Sequence, residues 1–110
     1  MLYGYDEAFA QNDRLVITEG FFDKLRTGVT AVATLGKSIS DEQLRLIRLG
    51  DFKEVIVFLD QDAQRESRAI AHKLSLYFKT YICCPTAKDP GEMTTAEIQH
   101  VLQYRKERVY

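Results

Sequence analysis

Residues 54–69 read EVIVFLDQDAQRESRA, and the centre of that stretch decides how the chain folds. Val55, Ile56, Val57, Phe58 and Leu59 are an unbroken apolar run, β-branched at its start. Such a run makes a strand covered on both faces, which is the parallel-sheet pattern. Asp60, Gln61 and Asp62 follow at once, and helical spacing begins at Ala63. Side chains alternate along an extended segment, so the two acids point one way and Gln61 need only point the other.

Working outward, the same grammar repeats. RLVIT (14–18), AVATL (31–35), EVIVFLD (54–60) and TYICCP (80–85) are short, apolar and rich in β-branched residues. Helical signals fill the gaps. FFDKLRT follows the first strand. SISDEQLRLIRLG pairs Ser40 with Gln43 as a capping box, turns Leu44, Ile47 and Leu49 inward, and stops at Gly50. In AQRESRAIAHKLSLYF, the residues Ala69, Ile70, Lys73, Leu74 and Tyr77 fall at helical spacing. TTAEIQHVLQYRKERV predicts a last helix with Ile98, Val101, Leu102 and Arg105 on one side and basic residues at its end. Strand and helix in alternation predict an α/β fold, with a mostly parallel sheet of about four strands flanked by helices.

Composition narrows the class. At 110 residues and 45% apolar, the chain is one globular domain, residues 1–110, with no membrane-length apolar run and no signal-peptide layout; a cytoplasmic location is expected. The two cysteines are adjacent, Cys83 and Cys84, a spacing that strains a mutual disulfide. Without a C-x-x-C and with two scattered histidines, no zinc site is expected in this segment. The net charge of −1 does not suit a domain that grips nucleic acid alone. A metal ion or a neighbouring basic module would have to supply the positive charge.

Ligands in parallel α/β sheets bind beyond the carboxyl ends of the strands. Acids collect there: Glu19 after the first strand, Asp60 and Asp62 after the third, Asp89 after the fourth. Each alone has a bland reading, since Asp and Glu form turns and helix caps, and Asp62 can cap the helix that starts at Ala63. Their convergence on one edge favours a metal site, because clustered carboxylates repel unless neutralised. Mg²⁺ takes hard oxygen ligands, often one or two carboxylates with substrate phosphates. Gly20 and Gly36 mark turns at the same edge, Asp23 stands one helical turn past Glu19, and Lys37, Arg65 and Lys88 are candidate phosphate ligands.

These segments resemble a known family. LVITEGFFD, AVATLGKSISDEQLRLI, EVIVFLDQDAQRESRA and KDPGE, in this order and spacing, are similar to the Toprim domain of bacterial (DnaG-type) DNA primases and their phage relatives. LYGYDEAF resembles the segment that leads into it. The likeness runs from about Leu2 to Glu92. E-G-x-x-D and D-x-D are shared by all Toprim proteins, whereas the ATLG turn, the S-x-x-x-x-Q-L helix and K-D-P are more particular to primases.

The resemblance implies a Rossmann-like Toprim fold and a role for each residue. It implies Glu19 as general acid/base or metal ligand, Asp60 and Asp62 as catalytic metal ligands, and Asp89 as a further ligand. Asp23, Gly20 and Gly36 would support the site. It further implies Mg²⁺ or Mn²⁺ as cofactor and nucleotidyl transfer that makes RNA primers on single-stranded DNA from nucleoside triphosphates. The partners implied are a basic, zinc-binding module and a replicative helicase, with this domain one part of a larger chain. Two alternatives stand beside it: phosphodiester cleavage, as in Toprim nucleases and topoisomerases, and a non-catalytic module in replication. The family's usual D-G-D-x-A-G is replaced by D-Q-D-A-Q-R, which puts Arg65 where relatives carry glycine. The second acid that primases often carry two residues after the D-P aspartate is Gly91 here, with Glu92 next.

Overall fold

The computed structural model describes residues 4, 13–20, 24, 27, 31–34, 36 and 38–109. Asp23 and Lys37 lie outside them, as do the aromatic pair 21–22 and most of the segment before residue 13. The strands are β1 (Arg14–Thr18), β2 (Ala31–Ala33), β3 (Glu54–Val57), β4 (Lys79–Ile82) and β5 (Glu107–Val109). The helices are α1 (Asp41–Leu49), α2 (Gln64–Ser75) and α3 (Thr95–Tyr104), with a 3₁₀ turn at Pro90–Glu92. One sheet holds all five strands in the order β2-β1-β3-β4-β5, so β3, the most apolar, is central. The first four are parallel, with Val16 level with Ile56 and Ile56 level with Tyr81.

Strand alternation divides the core in two. Leu15, Ile17, Val55 and Val57 face α1 and α2, where Ile47, Ile70, Ala71 and Leu74 meet them. Val16, Ile56, Phe58 and Cys83 face the other way, against Met93 and the Ile98, Val101 and Leu102 stripe of α3. With both faces covered, Val55, Ile56 and Val57 leave water completely, which stabilises by about 1.5–3 kcal/mol per large aliphatic residue.

The fifth strand corrects the expected count of about four. The basic tail RKERV does not extend α3: the helix ends at Tyr104, Arg105 is its exposed C-cap, and β5 pairs antiparallel with β4. Beside the ladder to β4 and the packing of Val109 on the core, Lys106 anchors the strand's start: its Nζ lies 3.0 Å from a Glu54 oxygen across the sheet and 4.4 Å from the centre of the Tyr81 ring. Two helical faces are also rotated from expectation. On α1 the inward residues are Gln43 and Ile47, with Leu44 half-buried and Leu49 exposed. On α2 the buried stripe is Ser67, Ile70, Ala71 and Leu74, while Ala69 and Lys73 are exposed and Tyr77 lies beyond the helix under the Arg48 guanidinium at 3.9 Å. Gly50 caps α1 in extended conformation rather than left-handed; a Cβ there would run into the Phe52 ring.

Candidate functional site

The carboxyl edge of β1 and β2 is built from hydrogen bonds rather than apolar packing. Thr18 Oγ1 donates to the Val32 carbonyl at 3.1 Å, and the Thr34 amide donates to the Thr18 carbonyl at 3.0 Å. Thr34 Oγ1 donates to the Gly36 carbonyl at 2.6 Å, which shapes the turn. Gly36 itself does not have a positive φ, and a Cβ there would meet nothing within 4 Å. Gln43 anchors this turn to α1. Its Oε1 accepts from the Ser40 amide at 2.9 Å to close the capping box, and its Nε2 donates to the Thr34 carbonyl at 3.2 Å. A buried glutamine thus has both ends of its amide occupied, as burial demands.

Glu19 follows Thr18 directly and is half-buried at the mouth of β1. The Gly20 carbonyl accepts the Lys24 amide at 3.1 Å. On the neighbouring strand, the Phe58 amide still donates to the Ile17 carbonyl at 2.8 Å, which carries β3 pairing one residue past its formal end, two residues short of Asp60. Asp60 is half-buried, Asp62 exposed, and the Ala63 amide closes the D-Q-D turn on the Asp60 carbonyl at 3.0 Å. The α2 N-cap is Ala63, so the N-cap position is not taken by Asp62.

Asp89 sits in the loop after β4 and caps the 3₁₀ turn, with its Oδ1 accepting the Glu92 amide at 3.1 Å. That loop is tied to the D-Q-D turn by Gln61. Its amide donates to the Lys88 carbonyl at 2.8 Å, and its Nε2 donates to the Pro85 carbonyl at 3.4 Å. Sequence alternation sends Gln61 away from the acids but does not reveal that the next loop waits there. Arg65 is exposed in the first turn of α2 and Lys88 is exposed beside Asp89. Among the described residues neither side chain makes an ion pair.

The edge gathers the acids by strand rather than into one tight knot. Among the described residues, no three His, Cys, Asp or Glu side chains form a group placed to hold a metal ion. The donor chemistry nevertheless fits Mg²⁺. Glu19 Oε1 and Asp60 Oδ1, at the ends of adjacent strands, are buried oxygens that accept no hydrogen bond, although both residues take part in other interactions. Mg²⁺ needs only one or two such carboxylates, with water filling the rest of its octahedron.

Residues 16–94 match the Toprim-like family, a stretch that opens in β1, closes at the N-cap of α3 and contains Glu19, Asp60, Asp62 and Asp89. The chain belongs to that family. Its Toprim fold carries the acids at the ends of β1, β3 and β4, all parallel and all opening on the same edge. The Toprim chain is also 29% identical over 102 residues to a DNA primase of Synechococcus elongatus, an alignment covering 83% of this chain. It spans 15% of that relative's length. No helix among the described residues is long and apolar enough to cross a membrane.

Proposed function

We propose that this Toprim domain is the Mg²⁺-dependent nucleotidyl-transfer core of a DNA primase, which extends RNA primers on single-stranded DNA. The observation that carries the reading is the D-Q-D turn. Two aspartates leave the central strand at the ligand edge of the sheet, and the helix behind them does not use Asp62 as its cap. The likeness to a cyanobacterial DNA primase supports the same reading.

In the reaction a primer 3′-hydroxyl attacks the α-phosphate of a nucleoside triphosphate, a P–O bond forms, and pyrophosphate leaves. Glu19, Asp60 and Asp62 would hold Mg²⁺, with Asp89 a further ligand once released from its cap. A bound Mg²⁺ supplies charge neutralisation at the triphosphate and the leaving oxygens. Glu19 is half-buried beside this edge, and in place of a ligand role it would take the proton from the attacking hydroxyl. Arg65 and Lys88 reach into solvent at the same edge, where each can bind a phosphate oxygen. The net charge of −1 leaves template binding to a basic module elsewhere in a longer protein.

A second reading, a non-catalytic Toprim module, draws on the engagement of Asp89 as a 3₁₀ cap. The deciding experiment uses the full-length protein with labelled nucleoside triphosphates, a single-stranded template and Mg²⁺ or Mn²⁺. Oligoribonucleotides that disappear in Asp60→Ala are the expected result. Strand cleavage without synthesis would mean a hydrolytic Toprim enzyme. A Mg²⁺ titration identical for parent and Asp60→Ala would leave only the non-catalytic module.

A further inference from the structure

The two acid-bearing loops of the Toprim edge, after β3 and after β4, have no ladder to hold them together, because the strands have ended. Two hydrogen bonds from one residue tie them together. Gln61 gives its amide to the Lys88 carbonyl at 2.8 Å and its side-chain Nε2 to the Pro85 carbonyl at 3.4 Å. The first bond needs only a backbone. The second needs a side chain of glutamine length that ends in a donor. Pro85 is buried at the start of the loop, while Lys88 and Asp89 stand at the end of it. Gln61 therefore grips that loop at both ends.

We propose that Gln61 is a positioning residue: it latches the loop carrying Lys88 and Asp89 to the turn carrying Asp60 and Asp62, and so fixes the spacing of the carboxylates that meet the cation. The proposal rests on the metal-site reading above. A glycine at this position would keep the Lys88 bond and lose the Pro85 one, and would also free the backbone between the aspartates. Asp89 would then be ordered mainly by its own cap on the Glu92 amide.

The test compares parent, Gln61→Gly, Gln61→Met and Asp60→Ala in the full-length protein. Gln61→Met keeps the length and loses the donor. Two quantities are read: hydrogen exchange of the segment 85–89, and Mg²⁺ affinity by calorimetry, with Asp60→Ala as the reference for other Mg²⁺ sites. Loss of one partly buried hydrogen bond predicts exchange about three- to tenfold faster and Mg²⁺ affinity about three- to tenfold weaker in Gln61→Met, and more in Gln61→Gly. Exchange and affinity both unchanged in Gln61→Met, while Asp60→Ala loses Mg²⁺, would overturn the latch and leave the metal site standing. Mg²⁺ binding unchanged in Asp60→Ala would overturn the metal reading and the latch's role with it. Faster exchange with unaltered affinity would reduce Gln61 to a loop tether and overturn its positioning role.

Discussion

Ser67 offers a test of the packing behind the D-Q-D turn. It lies in the first turns of α2, completely buried, and its Oγ has no hydrogen-bond partner. An unsatisfied buried hydroxyl costs about 1–3 kcal/mol in lost hydration. Ser67→Ala removes that cost. Against it stand the few dispersion contacts of one oxygen atom, at about 0.1–0.2 kcal/mol each, which total less than about 1 kcal/mol. Alanine is also the better helix former by a few tenths of a kcal/mol. The variant should therefore be more stable by about 0.5–2 kcal/mol, a rise in melting temperature of about 2–8 °C for a domain of this size. Ser75→Ala on the same helix is the control. Its Oγ donates to the His72 carbonyl at 2.8 Å in an exposed position, and its loss should stay within about 0.5 kcal/mol. Thermal and urea melts followed by circular dichroism measure both. A melting temperature that falls in Ser67→Ala would refute the reasoning, because it would mean that the hydroxyl is bonded in solution, for example to the Ala63 carbonyl one turn back, which accepts the Ser67 amide at 2.9 Å.

Other predictions follow from caps and thiols. Ser40→Ala removes the side-chain acceptor of the α1 capping box and should cost about 1 kcal/mol in urea melts. In the second capping box, bonds from the Thr94 amide and hydroxyl hold the Glu97 carboxyl below its ordinary value. Its contribution is complete above pH 4.5 and is lost as pH falls through the lower folded value, so Glu97→Gln should flatten the acid side of the stability–pH curve. Burial pushes the Cys83 thiol up to about 12, and its Sγ donates to the Val101 carbonyl at 3.3 Å. Iodoacetamide at pH 8 should modify exposed Cys84 and spare Cys83 until the protein unfolds, as mass spectrometry of the peptide would show.

The central architecture was legible because β3 is apolar without interruption, and only a strand covered on both faces tolerates that. The acids at its end were legible because a parallel sheet presents ligands at that edge. The α2 face was misphased because its buried stripe contains Ser67 and Ala71, one polar and one small, while Ala69 and Tyr77 at the surface suggested a different register. β5 was hidden by composition: Glu107 and Arg108 are exposed on an edge strand, and basic residues after a helical run read as a favourable helix end. The role of Gln61 was invisible for a different reason. Alternation states which face a side chain takes, but not which loop of distant sequence lies there. Asp89 shows the converse, since an Asp before Pro can cap a turn as readily as bind a cation, and here its carboxylate caps.

The ends of the sheet bear on how this domain meets other proteins. Each outermost described strand is three residues long: β2, fully buried, and β5, which presents Glu107 and Arg108. Adding a foreign strand requires a longer run of open backbone donors and acceptors than either provides, and charged side chains on an edge further disfavour it. Among the described residues, the sheet therefore offers poor ground for a partner's strand at either end. A partner that docked at the carboxyl edge instead would compete with access to the acids.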